Sequence, residues 1–241
     1  MAKMIDNAAD SYPLSLYVAN SKAIYAGISS SKTTLIKKWN GSAWSALPWS
    51  APMKPEIMTG DVAGNLFVTG ASSDGTKRNG GYAKWNGSAW TIIDSTPSGE
   101  LTKALAVDAS GRLIAAGATD KGWFVKRWDG SAWTILDQFQ DPKPSNFINK
   151  NGASGVTVDA ASGDLFVVGI LHDGTHPAHA LVRRLSATGN LLGSQEYQLD
   201  PNYETLPGNL LSAGSSKVIF SVTAEDVTGN HVQAVKVQIG E

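Results

Sequence analysis

One six-residue phrase, Trp-Asn-Gly-Ser-Ala-Trp, stands unchanged at residues 39–44 and 85–90, and returns at 128–133 with Asp129 in place of Asn. The copies start 46 and 43 residues apart. Self-similarity at such a period belongs to chains built of stacked supersecondary units, because one unit alone cannot bury its apolar face.

A second phrase precedes each copy or takes its place. Residues 61–70 read Asp-Val-Ala-Gly-Asn-Leu-Phe-Val-Thr-Gly, and 108–117 read Asp-Ala-Ser-Gly-Arg-Leu-Ile-Ala-Ala-Gly. Residues 159–169 repeat the pattern with one residue inserted before Gly163, and weaker versions lie at 20–27 and 216–222. That makes five units.

Each unit reads as four short strands. In the third they are expected at 103–108, 112–117, 123–128 and 133–137; in the fourth at 154–159, 164–170, 179–185 and 191–199. Asn-Gly and Asp-Gly between aromatic strand ends are strong hairpin signals, since these residues tolerate positive φ. No stretch sustains a helical period. The fifth unit offers strands at 210–212, 217–223 and 231–239, and lacks a fourth. Residues 2–6 (Ala2 to Asp6) form an orphan strand ahead of the first full unit at Ser15. A surplus at one end and a deficit at the other predict an all-β, five-bladed β-propeller of four-stranded antiparallel blades. The N-terminal strand would complete the last blade and close the ring, which hides an exposed sheet edge. The expected blades are 15–49, 56–94, 101–139, 153–199, and 208–239 with 2–6. All belong to a single domain spanning 1–241. An open β-solenoid uses shorter repeats and has no need of complementary ends.

These phrases resemble known families. The Asp-x-x-Gly-Asn-Leu-Phe-Val-Thr-Gly segments are similar to the bacterial β-propeller repeats labelled SBBP. The Trp-Asn-Gly-Ser-Ala-Trp segments resemble motifs of bacterial surface propellers. Length and blade number also resemble the five-bladed, sugar-binding tachylectin, whose repeat wording differs. The resemblance implies a propeller over nearly the whole chain and a place at the bacterial surface or outside the cell. It leaves function open, because such repeats serve many roles.

Bulk properties remove several classes. A net charge of −1 provides no field for nucleic acid. The absence of cysteine excludes disulfides and thiolate metal sites. The apolar runs are too short for a helical membrane span, and the first residues lack the apolar stretch of a signal peptide. With 42% hydrophobic and 17% charged residues, the composition is that of a folded domain rather than a disordered one. Of the basic pairs Lys37–Lys38, Lys77–Arg78, Lys126–Arg127 and Arg183–Arg184, three fall in strands and are expected to mark a solvated edge.

Candidate sites each carry a plain structural alternative. The paired Trp residues could stack on sugar rings, but they flank turns that every blade needs, so packing is the favoured reading. A four-residue loop would set Trp39 opposite Trp44; a two-residue turn would set Lys37 there. Asp61, Asp108 and Asp159 could ring a cation, or cap their own turns. His172, His176 and His179, with Asp173, have the residue types of a zinc or nickel site, although the equivalent stretch 73–78 is an ordinary hairpin tip. No metal or cofactor is expected. A glycosidase would need paired carboxylates where the first strands begin. Ser15, Glu56, Glu100 to Lys103, Ser154 and Gly208 to Asn209 occupy those starts, and only Glu56 and Glu100 supply carboxylates.

The inter-blade linkers differ from one another, are rich in Pro, and share a face with the turn after each second strand. They are expected at 49–55, 95–100, 140–152 and 200–208. Variable loops on a repetitive scaffold are where recognition concentrates. The expected ligand contacts are Trp49, Phe147, Asn149, Tyr203 and Glu204, on linkers taken to be free of packing. The expected protein is therefore a non-enzymatic, lectin-like or adhesive binding module. It would take a glycan or a protein surface ligand and work outside the cytoplasm as a monomer or as part of a larger chain. A protein-interaction scaffold is the alternative, and a glycosidase the third.

Overall fold

A computed structural model of the chain describes residues 11–20, 23–29, 34–74, 76–77, 80–94, 99–145, 152–214, 217–225 and 231–239. Among them every regular element is a strand. The chain divides into two compact units, one up to Ser98 and one from Gly99.

The first unit holds two sheets. β1 (Tyr12–Asn20), β2 (Ala23–Ser29), β3 (Thr34–Trp39) and β4 (Trp44–Leu47) form one, and β5 (Ile57–Gly60), β6 (Leu66–Thr69), β7 (Tyr82–Trp85) and β8 (Trp90–Asp94) the other. The second unit holds three. β9 (Leu101–Val107), β10 (Leu113–Thr119), β11 (Gly122–Trp128) and β12 (Trp133–Gln140) form its first sheet. β13 (Gly152–Val158), β14 (Leu165–Leu171), β15 (His179–Leu185) and β16 (Leu191–Tyr197) form its second. β17 (Glu204–Gly214), β18 (Lys217–Glu225) and β19 (His231–Ile239) form its third. Every sheet is an antiparallel meander with its strands in sequence order. The expected N-terminal strand at residues 2–6 lies outside the described residues.

Strand periodicity explains how the sheets stack. Alternate residues of β14 point to opposite faces. Leu165 and Val167 join a core with Ile114, Ala116, Trp123 and Val125 of the preceding sheet. Phe166 and Val168 join Leu210, Val218, Phe220 and Val222 of the following one. Both faces of β14 are covered, so it is buried along its whole length and reads as an unbroken apolar run. In the second unit the first strand of a sheet lies across the sheet before it: β13 on β9, β10 and β11, and β17 on β13, β14 and β15. In the first unit β5 packs on β1, and Tyr25 and Ile36 share a core with Met58, Leu66, Val68 and Trp85.

The glycines that end the second phrases at 117 and 169 sit where no Cβ fits. A Cβ on Gly117 would run into the carbonyl of Leu101 on the neighbouring strand, and one on Gly169 into the ring of Trp123.

Three readings need correction. The basic pairs do not mark a solvated edge. The three pairs that fall in strands lie on third strands, inside their sheets, with a charged end over an aromatic ring: Lys38 over Tyr25, Lys126 over Phe124 and Trp133, Arg183 over Phe139 and Arg184 over Phe166. Lys126 is buried and pairs with Glu100. Arg183 reaches from β15 to Asp137 on β12 with two bonds of 3.0 Å, and Trp123 Nε1 donates to the same carboxylate at 3.1 Å. Next, the last sheet begins at Glu204 rather than 210. Pro207 sits within β17 because this is an edge strand, and a register shift follows it. Finally, β1 starts at Tyr12, ahead of Ser15.

Candidate functional site

The repeated phrases resolve into structure. The Trp pairs face one another across four-residue loops, Trp39 opposite Trp44, Trp85 opposite Trp90 and Trp128 opposite Trp133. Their ring centroids lie 5.7, 5.3 and 5.6 Å apart. In each loop the first side chain organises the turn: Asn40 Oδ1 accepts from Ser42 N and Oγ and from Ala43 N at 2.9–3.0 Å. Gly41 follows at φ 97°, a conformation strained for other residues. Asp129 accepts the same three bonds, which hold its carboxyl down to about 2, below the ordinary 3.8. Asp61, Asp108 and Asp159 cap their own turns; Asp108, for example, accepts from Ser110 N and Arg112 N.

The linker face shows a different organisation. In the first unit the linker before β5 is tied to the turn after β6. Lys54 N donates to Ala71 O, Ser73 N to Pro52 O, and Ala71 N to Glu56 Oε2, at 2.8–3.0 Å. In the second unit the stretch after β12 is tied to the loop between β14 and β15, through Lys143 N to His172 O at 3.0 Å. The start of β17 is tied to the same loop through Thr205 N to Ala178 O at 2.7 Å.

Of the expected contact residues, Trp49 is not free of packing. Its ring meets Trp90 edge-on at 4.6 Å and its Nε1 donates to Met53 O at 3.1 Å. Packing against β8 therefore constrains this linker, contrary to the expectation from its variability. Phe147 and Asn149 lie outside the described residues. Tyr203 ends a turn begun at Asp200 and is 38% exposed. Glu204 opens β17 opposite Glu225. Both stand next to Thr205, and so beside the histidine loop. Trp49 belongs to the first unit; Tyr203 and Glu204 belong to the second.

Each of the three loop histidines faces its own carboxylate. His172 Nδ1 lies 2.7 Å from Asp141 Oδ2, His176 Nδ1 2.7 Å from Asp173 Oδ2, and His179 Nε2 3.2 Å from Glu196 Oε2. Among the described residues no three His, Asp or Glu side chains form a metal-holding group. The His176 bond and the backbone N–H groups of His176 and Thr175 keep the Asp173 carboxyl well below the usual carboxylate range. Asp141 is the residue that sequence reasoning missed. Its carboxylate is fully buried and accepts from His172 N as well as the ring, while its own N–H donates to Lys121 O. In the sequence it is only an Asp before a Pro, the mark of an ordinary turn. Glu56 and Glu100, the two carboxylates considered for glycosidase chemistry, are occupied by Ala71 N and by Lys126.

Antiparallel meanders in sequence order, stacked within each unit by a first strand laid on the sheet before it, define a fold of the β-propeller type. Solved structures agree. Over 92% of this chain and 68% of the other, it is similar to a streptogramin B lyase at TM-score 0.59 and 12% identity. Over 96% and 69% it is similar to YCF48 bound to D1 peptide, at 0.56 and 13%. Over 96% and 94% it is similar to the endo-arabinase of Bacteroides thetaiotaomicron, at 0.51 and 13%. No family model matches the chain, and no curated protein matches it in sequence. Two of these three structures are enzymes, which overturns the expectation of a non-enzymatic protein. Missing catalytic motifs carry no such conclusion on a fold that supports lyase and arabinase activity. At 12–13% identity the likeness is one of fold.

Proposed function

We propose that the chain forms a closed five-bladed ring, completed by residues 2–6 pairing beside β19, and that it binds a glycan on the linker face. The SBBP-like wording of the repeats and the three-stranded last sheet support the ring. Deleting residues 1–10 then lowers the melting temperature of the whole protein; an unchanged transition would refute closure.

The binding reading rests chiefly on the tied linkers. Among the described residues, Pro52, Lys54, Lys143 and Thr205 are held by backbone hydrogen bonds to neighbouring turns, while Tyr203 stays exposed beside Thr205's strand start. A loop ordered in the free protein loses little entropy on binding, which favours affinity. Tyr203, Glu204, Phe147 and Asn149 are the proposed contacts, with Trp49 supporting its linker from beneath. Two similar structures point to polymeric ligands, an endo-arabinase and a peptide-bound protein, and the glycan is preferred because Tyr203 offers an aromatic face with a polar tip. A place outside the cytoplasm belongs to this reading. A glycan array with the full chain and with Tyr203→Ala tests it. Binding to a defined glycan class that the variant loses is expected. Binding to no glycan, or binding indifferent to Tyr203, overturns it.

A further inference from the structure

Four Asn-Gly pairs occur in the chain, at 40–41, 79–80, 86–87 and 151–152. In such a pair the glycine nitrogen can attack the side-chain amide before it, because no Cβ blocks the approach. By sequence the four are alike; by structure they are not. Gly80 is buried, its N–H donates to Gly70 O at 2.7 Å, and a Cβ on it would meet Met53 and the backbone of Ser72. Gly152 is buried at the start of β13, pressed against the backbone of Ala118. Neither nitrogen can swing toward the residue before it without disturbing a tight contact. Asn79 and Asn151 themselves lie outside the described residues. Gly41 and Gly87 are exposed in the Trp-flanked loops, at φ 97° and 99°. A Cβ on Gly87 would meet nothing within 4 Å, and among the described residues no hydrogen bond engages either glycine N–H.

The amide carbons at 40 and 86 are activated as well as accessible. The three bonds that Asn40 Oδ1 accepts recur at Asn86, whose Oδ1 accepts from Ser88 N, Ser88 Oγ and Ala89 N, each at 2.9 Å. Three donors on one carbonyl oxygen polarise its carbon and stabilise the negative charge that the oxygen carries once a nucleophile has added. The attacking nitrogen belongs to the next residue, so the reactants are already together. The third loop shows that the product fits. Asp129 accepts the same three bonds, and its Trp pair stands 5.6 Å apart, between the 5.3 and 5.7 Å of the other two.

We infer that Asn40 and Asn86 are sites of self-deamidation in the folded protein, which converts two of the three repeated loops to the wording of the third. The Gly41 nitrogen gives its proton to hydroxide and bonds to Cγ of Asn40. The bond from Cγ to Nδ2 then breaks, and Nδ2 takes a proton from water and leaves as ammonia. Water opens the five-membered imide, adding its oxygen at one carbonyl and returning a proton to the Gly41 nitrogen. Opening at Cγ gives aspartate and keeps the loop that sets Trp39 opposite Trp44. Opening at the main-chain carbonyl would lengthen the loop backbone by one atom, and the donors around the Cγ oxygen favour the first course. Asn86 and Gly87 follow the same steps. Each conversion adds one negative charge to a chain whose net charge is −1.

The test holds the full chain in mildly alkaline buffer made with oxygen-18 water, and reads each pair by mass spectrometry of tryptic peptides, which separate all four. A parallel sample in urea supplies the rate of each pair without the fold. Asn40 and Asn86 are expected to convert in the folded chain at least as fast as in urea and to give mainly aspartate. Asn79 and Asn151 should lag behind their own rates in urea by about tenfold or more. Four pairs converting at one rate in the folded chain, or Asn40 and Asn86 slower there than in urea, overturns the inference. Ser42→Ala removes one of the three donors and leaves the two backbone ones, so it should slow Asn40 by about threefold with Asn86 unchanged. A rate at Asn40 that ignores this substitution overturns the part given to the donors.

Discussion

The bond between Asp137 and Arg183 joins two adjacent sheets of the second unit, and its removal has a calculable consequence. The side chains are 9% and 14% exposed, and two parallel bonds of 3.0 Å link them. The guanidinium also lies 5.3 Å from the centre of Phe139, and Trp123 Nε1 holds the same carboxylate. Asp137→Ala leaves a guanidinium without its counter-charge in a nearly dry interface. Breaking a buried pair by removing one partner costs about 3–5 kcal/mol. Arg183→Ala should cost a similar amount, because it strands the carboxylate and removes the packing of the stem. The double variant leaves neither charge, so its loss should fall short of the sum, with a coupling of up to about 3 kcal/mol. Urea unfolding of the full chain, followed by tryptophan fluorescence, reads all three variants. Single losses under about 1 kcal/mol, or losses that simply add, would show that the sheets are held by their apolar core alone.

Other consequences follow from the same geometry. Trp49→Ala should destabilise by ~2 kcal/mol or more, because Trp90 loses its edge-on neighbour and Met53 O its donor; thermal melting checks this. Gly117→Ala should cost about 1–3 kcal/mol in the same assay, since its methyl group meets the Leu101 carbonyl and the backbone of Thr102. The Asp129 carboxyl titrates near 2 in the fold against 3.8 ordinarily, so the stability it contributes is present above 3.8 and fades as pH falls toward 2. Asp129→Asn, the residue found at 40 and 86, should remove that acid sensitivity while leaving neutral-pH melting unchanged. Desolvation brings the half-buried Lys103 ammonium from the usual 10.5 down to about 8, so the fold binds fewer protons than the unfolded chain between those values and stability rises with pH across that window. Lys103→Met should melt higher at pH 7 and flatten the rise.

Taken by itself, the sequence determined the architecture of each sheet. A six-residue hairpin phrase and a glycine-ended strand phrase specify local events: a turn closed by Asn40 Oδ1, a strand buried on both faces, a glycine where two backbones touch. Local events recur wherever their letters recur, so β11 and β15 fell within a residue of where the repeats placed them. Contacts between elements far apart in the chain left no such trace. Asp141 and His172 stand 31 residues apart and Asp137 and Arg183 46, and none of the four belongs to a repeated phrase. Only packing decided that Trp49 supports its linker and that the basic pairs on third strands lie over aromatic rings. Side-chain letters specify what a residue can bind, whereas stacking one sheet on the next specifies which groups come within reach.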